Sequence, residues 1–258
     1  MKPLAVVTGA SSGIGAVFAR KLAERNYRLL LVARRRDRLA ALAAELNGGT
    51  EVFAADLAEE EGQRELAERL AAAEDLELLV NNAGFGTLGR FFAIGLEGQE
   101  RMHRLHVMAT VRLTHAALAG MVKRNHGSVI NVSSVAAFAQ SPGNASYCAT
   151  KAWMNAFTSA LDLELRSASS AVKVQALCPG FTYSEFHEAM GADRSRIPRS
   201  LWLSADYVVD ESLRGLDRGK VVVIPAWRYK AIAVFIRRMP RMILRPGALR
   251  YSRRAGRE

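Results

Sequence analysis

With 258 residues, half of them hydrophobic, and no extended low-complexity stretch, the chain is long enough to bury a full core as one α/β domain. Its formal net charge of +11 is lopsided: Arg228 to Glu258 holds ten Lys and Arg against one acid, a net of +9, which leaves +2 for everything before it. A basic nucleic-acid surface spread over the fold is therefore excluded, and no interleaved aromatic and basic motif appears.

Short β-rich runs alternate with longer helical patterns, which predicts a doubly wound parallel sheet of seven strands with helices on both faces. Ligands in such sheets bind beyond the carboxyl ends of the strands, so the residues just after each strand matter most. The first predicted strand, Leu4 to Thr8, runs into TGASSGIG and a helix from Ile14 to Arg25. Gly9, Gly13 and Gly15 permit a tight turn and let backbone N–H groups around Ser11, Ser12 and Ile14 approach a pyrophosphate, whose charge the helix N-terminus favours. A plain Gly-rich turn is the alternative; the strand, loop and helix context argues for phosphate binding.

The second strand, Arg28 to Ala33, is followed by Arg34-Arg35-Arg36 and a helix from Arg36 to Leu46. An NAD site usually carries an acid there for the ribose 2′-OH, and none is present. Three arginines near a helix N-terminus oppose its dipole, an arrangement a bound 2′-phosphate would relieve. NADP(H) is expected over NAD(H), with Arg34 as the first contact and Arg35 beside it; a solvated charge run before Asp37 is the alternative. After the third strand, Glu51 to Ala55, come Asp56 and Leu57 and a helix from Glu60 to Ala73. Asp56 with Glu59 reads as an N-cap and capping box, and its carboxylate is equally suited to accept a hydrogen bond from an adenine amino group.

The fourth strand, Leu76 to Asn81, opens into NNAG, and a long helix is predicted from Gln99 to Arg124. The fifth, Ser128 to Ser133, ends at Ser134, thirteen residues before Tyr147 in the next helix, Ala145 to Ser167. Tyr147 and Lys151 stand four apart and so share a helix face. A phenol of reference pKa about 10 is a poor base at neutral pH, and a nearby ammonium favours its phenolate, which suits proton transfer. Spacing alone would mean only a surface Tyr-Lys pair; Ser134 at the same crevice argues for chemistry. The sixth strand, Val172 to Cys178, a helix from Ala205 to Leu216 and a seventh strand, Lys220 to Ile224, complete the sheet. Phe85, Phe138, Phe181, Tyr183, Phe186, Met190 and Trp202 lie on loops and short helices near this end, about half of them expected in the core, and they suggest an apolar substrate.

TGASSGIG, NNAG, the Ser134 to Tyr147 spacing, YCATK and CPGFTYSEF, in this order from Leu4 to Ile224, resemble the short-chain dehydrogenase/reductase family. The resemblance implies a single Rossmann-type domain that moves a hydride between NAD(P) and a carbonyl or alcohol carbon. Tyr147 would be the general acid in reduction, Lys151 would tune it and hold the nicotinamide ribose, and Ser134 would hydrogen-bond the substrate oxygen. Asn81 and the turn Asn82, Ala83 and Gly84 would line the adenosine side, while Pro179, Gly180, the Thr182 backbone and the Ser184 hydroxyl would lie at the nicotinamide end. His106 stands where the family usually has an active-site Asn, which helps hold a proton-relay water partly through its main-chain carbonyl. Either His106 serves in that relay, or turnover is impaired and the protein is a cofactor-binding regulator or scaffold. No metal is expected, and the family resemblance suggests a homodimer or homotetramer paired through the long helices.

Residues 1–226 are expected to form the catalytic domain and 227–258 a basic amphipathic tail, with Ile232, Phe235, Ile236 and Met239 at helical spacing among arginines. Such a tail suits an anionic bilayer surface or another subunit. No apolar run approaches the about 20 residues of a membrane span. Cys148 and Cys178 read as small buried thiols, and the N-terminus leaves no room for a cleaved leader, so a cytoplasmic location, with peripheral contact at the inner membrane surface through the tail, is expected.

Overall fold

The computed structural model describes residues 2–46, 49–186, 190 and 197–239. Its strands are β1 (Leu4–Thr8), β2 (Arg28–Ala33), β3 (Thr50–Ala54), β4 (Leu76–Asn81), β5 (Ser128–Val132), β6 (Lys173–Leu177) and β7 (Val222–Val223). They form one parallel sheet in the order β3-β2-β1-β4-β5-β6-β7. This is the doubly wound arrangement expected, and the strand order reverses between β1 and β4, where a crevice opens at the carboxyl ends. β7 is shorter than predicted because it pairs only at Ala176 with Val222 and Leu177 with Val223, at the sheet edge.

The helices are α1 (Gly13–Glu24), α2 (Arg36–Glu45), α3 (Glu60–Ala72), α4 (Leu96–His103), α5 (Thr110–Arg124), α6 (Ala145–Ser167), α7 (Ala205–Asp217) and α8 (Trp227–Arg238). Successive strand residues point to opposite faces. Ala5, Val7, Leu29, Leu31, Leu78, Val80 and Ile130 pack with α1, α2 and α7, while Leu4, Val6, Leu30, Val32, Leu79, Val129 and Val174 pack with α3, α5 and α6. Burial on both faces is why these strands read as continuous apolar runs.

The long helix predicted from Gln99 begins at Leu96 and carries a π-helical segment, Arg104–Ala109, between α4 and α5. The 29-residue stretch Leu96–Arg124 reaches a mean hydropathy of 1.2 over 18 residues, long and apolar enough to cross a membrane, which corrects the expectation that no segment is. Its apolar positions are used in the fold: Met102, Ala109, Leu113, Ala117 and Met121 are buried.

Past the expected division at residue 226, α8 packs on the same fold. Tyr229 and Ala233 of α8 are buried, Tyr229 within the same core as Leu203, Val209 and Leu213. The expected apolar stripe is not the seated face, since Ile232 and Phe235 are exposed. The tail from Pro240 onward lies outside the described residues.

Candidate active site

The glycine loop is fixed by Thr8 and Asn82. The buried Thr8 hydroxyl donates to the Val80 carbonyl at 3.2 Å and accepts from the backbone N–H groups of Asn82 and Ala83, each at 3.0 Å. Asn82 Nδ2 donates to the carbonyls of Thr8 and Gly9 at 2.9 and 3.2 Å. Gly9 has φ +66°, and a Cβ there would lie 2.8 Å from Ala83 Cα; one on Gly15 would overlap the Gly9 carbonyl oxygen. Ser12 caps α1 without a side-chain hydrogen bond, and the first turn holds no acid, so the helix end presents its N–H groups to the crevice.

The arginine run divides its work differently from the expectation. Arg34 is 67% exposed and, among the described residues, pairs with Asp56 at 3.9 Å. Arg35 turns onto the glycine loop instead: Nη2 donates to Ser11 Oγ and Ser12 Oγ at 3.0 and 3.1 Å, and Nη1 to Glu185 at 3.0 Å. Asp56 does not form the expected capping box. Its Oδ1 accepts from Ala58 N–H at 2.9 Å, its Oδ2 pairs with Arg101, and Glu59 is the N-cap of α3. The neighbouring Leu57 is buried. Asn81 also departs from its expected place, since it points into the core, donating to Thr114 Oγ1 and Asn131 Oδ1 at 3.0 and 2.9 Å.

Tyr147 and Lys151 lie one helical turn apart in α6, with the Lys151 ammonium 5.9 Å from the Tyr147 ring centroid. Lys151 is buried and donates to the Val132 carbonyl at 2.7 Å; burial brings its pKa down to about 8. Ser134 follows β5 at the same crevice end, where its Oγ accepts from Ala136 N–H at 3.1 Å, while the buried Ser133 hydroxyl donates to the Lys151 carbonyl at 2.9 Å. Cys178 lies against this group, and burial pushes its thiol up to about 12, so it stays protonated and apolar in character.

Both ring nitrogens of His106 are engaged by protein partners. Its ring is fully buried in the π-helical segment, and Nε2 accepts from Phe85 N–H at 3.2 Å. A backbone N–H can only donate, so the ring proton sits on Nδ1, which donates to Thr150 Oγ1 at 3.0 Å; Thr150 in turn donates to the Tyr147 carbonyl at 3.0 Å. Burial, then the charge of Lys151, holds the imidazole well below its usual pKa and keeps it neutral. The histidine thus ties the loop after β4 to α6, and Gly84 makes room for it, since a Cβ there would lie 2.8 Å from Nε2.

The expected apolar set splits. Phe186 lies 5.6 Å from Tyr147, Phe85 lies 6.2 Å from His106, and Phe186 and Met190 both close on Gly86, so Phe186 stands beside the phenol with Met190 next to it. Phe181, Tyr183 and Trp202 instead pack on one another, Tyr183 stacked at 4.9 Å on a buried Trp202, and Phe138 lies under Arg237 at 5.6 Å. The segment after Pro179 is held from far away in sequence: Tyr229 Oη accepts from Phe181 N–H at 3.0 Å and donates to the Leu201 carbonyl at 2.6 Å. A Cβ on Gly180 would overlap that ring, and Thr182 bridges to Leu203. Ser184 closes on Gly13, where a Cβ would meet Ser184 Cβ at 2.9 Å, so the two ends of the crevice touch. Thr8, Thr150, Glu185 and Tyr229 were not singled out by sequence. Thr8, last residue of β1, carried a signal in its position; the others act across the fold.

The family model described as short chain dehydrogenase matches residues 3–195. A nodulation protein G from Rhizobium sp. (strain N33) is 35% identical over 181 residues, 70% of this chain and 73% of that protein. Among solved structures, a short-chain dehydrogenase from Sphingobium yanoikuyae in complex with NADPH aligns with a TM-score of 0.83 at 36% identity, covering 89% of this chain and 92% of that one. The bulky-bulky ketone specific alcohol dehydrogenase from Comamonas testosteroni aligns with a TM-score of 0.77 at 31% identity, covering 92% of this chain and 95% of that one.

Proposed function

The chain belongs to the short-chain dehydrogenase family, and on that premise we propose that it is an NADPH-dependent reductase of hydrophobic ketones or aldehydes, working also in reverse on the alcohols. The observation that carries this reading is the pairing of Tyr147 with a buried Lys151 ammonium 5.9 Å from its ring, beside a wall of Phe186 and Met190.

The residues fit a dinucleotide. The cleared space at Gly9, Gly13 and Gly15, the uncapped start of α1 and the guanidinium of Arg35 over Ser11 and Ser12 would receive its phosphates. Bound NADP(H) supplies or accepts the hydride. Tyr147 gives its phenolic proton to the carbonyl oxygen as that oxygen gains negative charge, and Lys151 stabilises the charge left on the phenol. Ser134 Oγ orients the carbonyl, and the aromatic wall keeps water away from it. The NADPH held by the Sphingobium relative and the ketone named for the Comamonas relative support the cofactor and substrate classes. In the same reading the chain pairs through its long helices, where Met108, Val122 and Leu163 stand exposed.

The test is NADPH oxidation over carbonyl compounds of graded chain length. Turnover should rise with apolar length, and Tyr147→Phe should lower kcat by about 10²- to 10⁴-fold with NADPH affinity kept. A binding or scaffolding role without turnover is the competing reading, favoured by the commitment of both His106 ring nitrogens to protein partners. NADPH binding with no turnover across the panel would decide for it.

A further inference from the structure

Glu185 follows Ser184 on the segment after β6, on the opposite side of the crevice from α2. It nevertheless reaches the arginines at the start of that helix: Oε2 accepts from Arg35 at 3.0 Å and Oε1 from Arg38. Arg35 is the same guanidinium whose other edge rests on Ser11 and Ser12 of the glycine loop. A carboxylate from the substrate side thus lies between two cations beside the expected phosphate cradle. The Arg38 guanidinium, with Arg35, holds that carboxyl below the usual range, so it is ionised at neutral pH.

The contact is open to exchange. Glu185 is 43% exposed and its arginine partners 40% and 45%, so water screens the pairs, and each is worth little to the fold. A phosphate monoester near neutral pH carries more charge than a carboxylate and offers three acceptor oxygens to guanidinium donors. It would win a contest for the same two arginines.

We propose that Glu185 is an internal occupant of the 2′-phosphate subsite, displaced by NADPH and indifferent to NADH, so that this residue sets how strongly the two cofactors are told apart. The inference rests on the NADP(H) reading above and adds a residue to it that opposes the preferred cofactor. Glu185 acts through Arg35 and Arg38 and is a specificity-positioning residue.

The experiment is a pair of titrations, NADPH and NADH, on the full chain as wild type, Glu185→Gln and Glu185→Ala, followed by nucleotide fluorescence. Both variants remove the charge at an exposed site. The expected result is a three- to tenfold tighter Kd for NADPH, on the order of the screened ion pairs removed, with the Kd for NADH within about twofold of wild type. The gain should vanish in an Arg35→Ala background. An unchanged ratio of the two affinities, or weaker NADPH binding in both variants, overturns the inference. Wild type binding NADH more tightly than NADPH would instead overturn the cofactor reading on which it rests.

Discussion

The two ends of the crevice are held by different means. At the glycine loop, Thr8 and Asn82 bond directly to the backbone of β1, β4 and the turns after them, so the geometry is set where two adjacent strands end. At the segment after β6, the backbone is held by Tyr229, 48 residues downstream of Phe181, and by a bridge to Leu203. The first end is part of the sheet, while the second is held by Leu203 and by a side chain of α8, both distant in sequence. The phosphate side is thus tied to adjacent strand ends and the substrate side to elements that follow it.

Removing the hydroxyl at the first end should do the most damage. Thr8→Val keeps the shape of the side chain but takes the hydroxyl partner from Ala83 N–H, and one of two partners from Val80 C=O and Asn82 N–H, which keep each other, a loss of about 2 to 4 kcal/mol by urea denaturation, with weaker dinucleotide binding. Tyr229→Phe at the second end strips two bonds and should lower stability by about 1 to 3 kcal/mol. Its signature should be a raised KM for the carbonyl compound with dinucleotide affinity kept; equal losses of both would erase the contrast between the ends.

A smaller effect should come from pH. Lys151 loses its charge as pH rises through about 8, so kcat for reduction should fall up to tenfold per pH unit above that point. Folding stability should move the other way through this group. Its folded pKa of about 8 lies below its ordinary 10.5, so between these values the unfolded chain binds more protons and stability increases with pH. A kcat flat from pH 7 to 10 would show that the lysine charge is not used.

Most of the sheet was legible in the sequence, because parallel strands covered on both faces are apolar runs and the glycine turn comes directly after one of them. The positions of Tyr147, Lys151 and Ser134 were legible for the same reason, being tied to the helix period and to a strand end. What escaped was decided across the fold. Arg34 and Arg35 are adjacent and chemically alike, and only the approach of Glu185 and the two serines shows which one turns inward. Asn81 and Asn82 are likewise indistinguishable by type, but β4 pairs Asn81 with Asn131 of β5, which sends its side chain into the interior. His106 looked like a replacement for a working residue; its two fixed ring contacts come from Phe85 and Thr150, 21 and 44 residues away.

The π-helical turn at Arg104–Ala109 has a consequence for how this chain tolerates changes in length. A π turn holds about one residue more than an α turn, so deleting one residue there would be absorbed by a return to ordinary α-helical pitch, with the two flanking helices keeping their faces. Met102 and Gln99 upstream and Leu113 and Met121 downstream would stay in the interior, and the loss would fall on the seat of His106. The wide turn therefore acts as a stored residue that places this ring without turning either half of the helix. A single-residue deletion should cost less stability here than in α5, where it would turn one part of the helix by about 100° against the other.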